Sequence, residues 1–204
     1  MTLLIVRGQV QREVAPDHAR VDVEIVAGHR DRAALLSALE SRSAQLSALL
    51  DGYAGAVHRR DTTAFTVRPA RTVKDEPTEG FDGRLRTTLT VTDLTAVPEL
   101  MRALAGLDGV TVEGPWWGLR SVGGAQRQAR ADAVADALAR AREYADALGS
   151  RLVEMVQLSD ADGGGAIPFA AAAADAGAFG LEPVPQTVYA SVEARFEITP
   201  PPLD

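Results

Sequence analysis

Between Arg20 and Leu50 the hydrophobic period changes from two to helical, and that change constrains the fold more than any other feature of the chain. Val21, Val23 and Ile25 alternate with Arg20, Asp22 and Glu24, the pattern of a strand with one wet face. Leu35, Leu36, Leu39, Leu46, Leu49 and Leu50 then recur at helical spacing from about Asp31 to Asp51, and Gly52 can end that helix. A half-wet strand followed by a one-sided helix calls for a sheet with helices packed on its apolar face.

The rest of the chain repeats the theme. Residues 3–14 read as a strand turned at Ala15-Pro16-Asp17 into the strand 18–28. Val57 to Arg71 and Arg84 to Val91 read as two further strands, around a polar connection from Lys74 to Gly83 expected to be a mobile hairpin tip. A short helix is predicted over about 95–105, with Pro98 tolerable in its first turn, then a strand over 110–122. The longest helix is predicted over about 125–148, with Val134, Ala137, Leu138, Ala141, Ala145 and Leu148 as its apolar stripe. Strands at 152–158 and 188–198 close the chain, around a low-complexity stretch from Ser159 to Pro185. The order ββαββαβαββ predicts an α+β fold: a curved antiparallel or mixed sheet with helices on one face, in a single domain over 1–199 that allows two lobes, with 159–185 a long flexible loop and 200–204 a tail.

Composition removes several classes of function. At 204 residues the chain buries about 70% of its unfolded surface and needs no staple. It has no cysteine, which removes thiol chemistry and thiolate metal sites. The net charge of −7 argues against a general grip on nucleic acid. No run approaches the roughly 20 apolar residues of a membrane span, and Met1 to Val6 meets Arg7 too soon for a signal peptide, so a cytoplasmic location is expected.

A further set of residues is specific in its order and spacing: Val6 and Gly8 in the first strand, then Pro16, Asp17 and Ala19 in the turn after it. Asp61, Thr63, Pro69, Gly80-Phe81, Leu89, Val91, Asp93 and Leu94 follow in the middle. Ala133, Asp136, Ala137, Ala141, Ala145, Leu148 and Gly149 form an alanine-spaced helix ending in Leu-Gly, and Val188, Val192 and Phe196 lie in the last strand. In these residues the chain resembles the SIMPL domain family over about residues 3–198. Two departures stand out: the residues from Met1 onward are not expected to form the export signal of many members, and Glu182-Pro183-Val184-Pro185 replaces the more usual Pro-Gly turn. The resemblance implies loose associations with stress responses, the cell envelope and, in animals, signalling through kinase partners. It implies no catalytic residue.

The residues themselves supply no familiar chemistry. His18, His29 and His58 lack the close helical spacing of a zinc site, and neither a serine nucleophile elbow nor a phosphate loop occurs. Asp160-Ala161-Asp162-Gly163-Gly164-Gly165 is similar to a calcium loop in its first, third and sixth positions, but Ala171 stands where the bidentate glutamate belongs. Asp17, Asp61 and Asp93 would permit acid–base work if two met in a cleft; a turn and a helix cap account for Asp17 and Asp93 more simply. No cofactor or metal is expected.

Trp116 and Trp117 are adjacent on a strand, so one ring enters the core, by the resemblance Trp117, and Trp116 emerges and needs a cover. Ile167, Phe169, Phe179 and Leu181 are large apolar residues in the long loop, expected to dock on the face bearing Trp116. With Trp116 they form the expected interaction surface, while Gly8, Pro16, Asp17, Asp61 and Gly149 are read as structural positions of the family. The expectation is a non-enzymatic protein that works by self-association as a homo-oligomer or by binding a protein partner. The alternative is a small-molecule binder or an enzyme with a pocket near Trp116.

Overall fold

The structure is a computed structural model that describes residues 2–71, 77–161, 170–171 and 180–202. The elements run β1 (Thr2–Val14), β2 (His18–His29), α1 (Arg32–Asp51), β3 (Val57–Arg71), β4 (Pro77–Val91), a short 3-10 turn at Leu94–Ala96, α2 (Val97–Ala105), β5 (Val110–Gly118), α3 (Val122–Ala147), β6 (Leu152–Asp160), β7 (Ala170–Ala171) and β8 (Gln186–Ile198). The fold is α+β. Its strands divide between two antiparallel sheets, β1-β8-β6 and β3-β4-β2-β5-β7, where the sequence suggested one. The chain forms two compact units: Met1–Ala15, Leu119–Pro168 and Pro185–Asp204 make the first, Pro16–Gly118 and Phe169–Val184 the second. Although β1 and β2 are consecutive, they belong to different sheets. Beyond Pro16, which has no N–H to donate, the Asp17 amide bonds the Gly118 carbonyl at 3.0 Å and ties the start of β2 to β5.

In the second unit, Ala19, Val21, Val23 and Ile25 put one side of β2 under the helices, joined by Leu89 and Val91 of β4. Leu35, Leu39, Leu46 and Leu50 of α1 and Val97, Leu100 and Leu104 of α2 close the core over them. Each such leucine removed from water contributes about 1.5–3 kcal/mol, so this face holds most of the unit's stability. Asp31 caps α1 by accepting from the Ala34 amide at 2.8 Å. The connection expected from Lys74 to Gly83 is shorter than the sequence implied, because β4 begins at Pro77 and pairs Phe81 with both His29 and Pro69. Two glycines permit this: Gly80 adopts φ +109° beside the His29 carbonyl, and Gly83 lies where a Cβ would sit 2.6 Å from a Leu39 methyl.

In the first unit, α3 packs across β1 and β8. The strand expected to reach Val122 ends at Gly118, and α3 starts at Val122 after the extended Ser121. Its buried residues are Ala129, Ala133, Ala137, Ala141 and Ala145, against Val6, Val188, Val192, Ala194 and Phe196. The stripe is thus centred on alanine: Val134 and Leu138 lie on its flank, and Leu148 is exposed. At roughly 0.8 kcal/mol per buried methyl, five alanines anchor a helix weakly by area alone. Polar ties supplement them: Asp136 accepts from the Gln9 amide at 3.0 Å, and Arg12 reaches Asp132 at 2.5 Å.

Candidate functional site

The site lies in the first unit, where β6 runs along the edge of the sheet. Its order β1-β8-β6 leaves one side of β6 without a partner strand among the described residues. Because α3 sits over β1 and β8, the helix-side residues of β6 have little above them. A groove of about 470 Å3 results, with Leu152, Met155 and Phe196 along the sheet and Leu138 and Ala145 on the helix. Arg142, Asp146, Arg151 and Glu154 line it as well and bring both signs of charge.

β6 itself is unusually bare. Val153 is 59% exposed, Met155 43%, Val156 46% and Leu158 47%. Its ladder with β8 is irregular between Leu152 and Glu154 and between Met155 and Gln157, so Val153 and Val156 have no residue opposite them. Natural edge strands are blunted by lysine, proline or inward charge, whereas β6 carries one charge, Glu154, before its terminal Asp160. A second groove, about 430 Å3, lies in the other unit between α1 and β3, beside Leu36 and Phe65. There the edge strand carries Arg59, Arg60, Arg68 and Pro69, the devices that discourage pairing.

The residues singled out from sequence fall elsewhere. Trp117 is fully buried in the second unit. Trp116 is partly buried beneath Arg20, whose guanidinium carbon lies 4.6 Å from the ring centre, a cation–π cover from the same chain. The sheet face it shares is polar: Thr88 bonds Asp22 at 2.8 Å, and Arg84 and Arg86 reach Glu24 at 3.3 and 3.1 Å. From the long loop, Ala170 and Ala171 pair with Trp117 and Trp116 along the edge of β5. Leu181 is partly buried, while Ile167, Phe169 and Phe179 lie outside the described residues.

No group of three metal-binding side chains occurs among the described residues, and most of the acidic glycine run, Asp162 to Gly165, lies outside them. His18 is buried with Nδ1 3.0 Å from Asp17 Oδ1, and His29 accepts from the Asp31 amide at 3.0 Å. Asp93 caps the 3-10 turn, and hydrogen bonds from the Thr95 hydroxyl and amide hold its carboxyl below the ordinary aspartate value. Among the described residues no helix is long and apolar enough to cross a membrane.

The SIMPL family profile, described as a protein of unknown function (DUF541), matches residues 4–196. The chain belongs to the SIMPL family. No curated protein matches it. The SIMPL motif positions have legible structural roles. Gly8 lets α3 approach β1, since a Cβ there would lie 2.6 Å from the Ala137 nitrogen and nearer still to the Ala133 carbonyl oxygen. Pro16 and Asp17 form the turn into β2, and Asp61 is paired with Arg59 at 2.7 Å. Gly149 takes φ +64° after α3, where the Ser150 amide returns to the Ala145 carbonyl at 2.8 Å. None of these SIMPL positions lies on β6, so the motif gave no pointer to the groove. The signal for it lies in β6 itself, whose apolar residues fall at both parities, Val153, Met155, Val156 and Leu158, a pattern that strands covered on both faces share.

Proposed function

We propose that this SIMPL protein is non-enzymatic and acts by binding protein surfaces, through self-association or a partner chain. The observation that carries this reading is the apolar edge strand β6, left uncovered on both faces by the described residues and flanked by the α3 groove. Contiguous exposed apolar surface on an ordered element marks a contact site, and an unpaired strand edge adds a row of backbone donors and acceptors to it. A role in stress responses rests on the family resemblance alone. Light scattering on the purified full chain, followed by mass spectrometry of co-purifying material, tests the reading. The expected result is a mass above the single-chain 21.5 kDa that falls on dilution, or a stoichiometric protein partner. A mass of 21.5 kDa at every concentration with nothing bound overturns it.

A further inference from the structure

Resting on that reading, we propose that the occupant of the β6 edge is β6 of a second copy, laid antiparallel across a two-fold axis. At a net charge of −7, two copies repel one another in general, so any contact must supply its own local complementarity. β6 supplies it through the order of its charges. Arg151 stands immediately before the strand and Asp160 ends it; both are exposed, and neither side chain has an ion-pair partner among the described residues. A two-fold axis runs the strands in opposite directions and brings the basic end of each against the acidic end of the other, twice over. A parallel arrangement would instead oppose arginine to arginine and aspartate to aspartate.

The apolar content agrees with the same geometry. An isologous contact requires one patch that complements itself. Between the charged ends β6 presents Val153, Met155, Val156 and Leu158, with Glu154 the one charge among them and set opposite the neutral Gln157 of the other copy, so each copy offers a mainly apolar centre to that of the other. The helix-side Leu152, Met155 and Leu158 of one copy then extend the floor of the groove in its partner, and the unpaired backbone of both edges is satisfied by strand addition. The three-stranded sheet becomes one of six strands.

Charge reversal in the full chain tests this. Arg151→Asp leaves only acidic ends and Asp160→Arg only basic ends, so each variant alone should dimerise roughly tenfold more weakly than the parent in sedimentation or light scattering. An equimolar mixture of the two should recover association, because every contact is again between opposite charges, and so should the double variant. Circular dichroism like the parent's, and unchanged melting at a dilution where the parent is itself a single chain, show that the fold of each variant is intact. Single variants that associate like the parent, or a mixture no stronger than its components, overturn the inference while leaving the binding reading in place. A parent that stays a single chain but carries a different protein does the same. A parent with neither self-association nor a partner overturns both.

Discussion

Gly8 shows how much one missing methyl group can decide. Its neighbours across the interface are backbone and Cβ atoms of Ala133 and Ala137, which have no rotamers with which to yield. Gly8→Ala should therefore cost about 1–3 kcal/mol, as overpacked core sites do, read as a lower midpoint in urea. Asp132 makes a case about charge. The Gln128 amide, opposed in part by desolvation and aided by Arg12, holds its carboxyl below the ordinary 3.8. A carboxylate with a lowered folded pKa contributes stability above the unfolded value, near pH 4, and loses it as the pH falls through the folded value. Asp132→Asn should thus be less stable than the parent at pH 7, with the difference closing below about pH 4. A gap that is the same in acid would mean that the charge of Asp132 contributes nothing. Gly8 was legible as a family position, but its reason was not, since it depends on a helix that follows more than a hundred residues later.

Among the elements, α3 separates what periodicity reveals from what it hides. The expected stripe holds Ala137, Ala141 and Ala145 but is drawn toward Val134, Leu138 and Leu148 as well, whereas the buried line runs through alanines four apart from Ala129 to Ala145. A small residue allows close approach, so burial here follows backbone distance and not side-chain size. The difference can be measured. Ala137→Asp sets a charge against β1 with no room for water and should abolish folding, whereas Leu138→Asp faces the groove and should leave a folded protein of reduced stability. Equal loss in both, by circular dichroism and urea titration, would place Leu138 in the core. Arg142, exposed on the same helix, serves as a control in which alanine changes stability little. β2 was readable from sequence because its alternation reports a wet and a dry face directly. β6 was readable as a strand, but its exposure was not, because a run apolar at both parities looks alike whether a strand is covered or waiting for a cover.

For the whole molecule, the sequence conveyed the α+β class and the order of elements, since both follow from local period. Division into two sheets was not legible, because it depends on which strands meet, and β1 pairs with β8 across nearly the full chain. With no metal-binding group among the described residues, a chelator should leave the melting temperature unchanged; a fall of several degrees would reveal an ion that stabilises the native state. The pairing of β1 with β8 also carries a consequence for synthesis. Thr2 meets Ile198, so β1 leaves the ribosome long before the strand it must pair with. The stretch from Pro16 to Gly118 is complete some eighty residues earlier, and at translation speeds of about 5–20 residues per second the interval lasts roughly 4–16 s. Throughout it the nascent β1, with Leu4 and Val6, lacks the strand that completes its sheet, a window in which a chaperone, or a neighbouring chain on the same message, competes with β8 for the same strand.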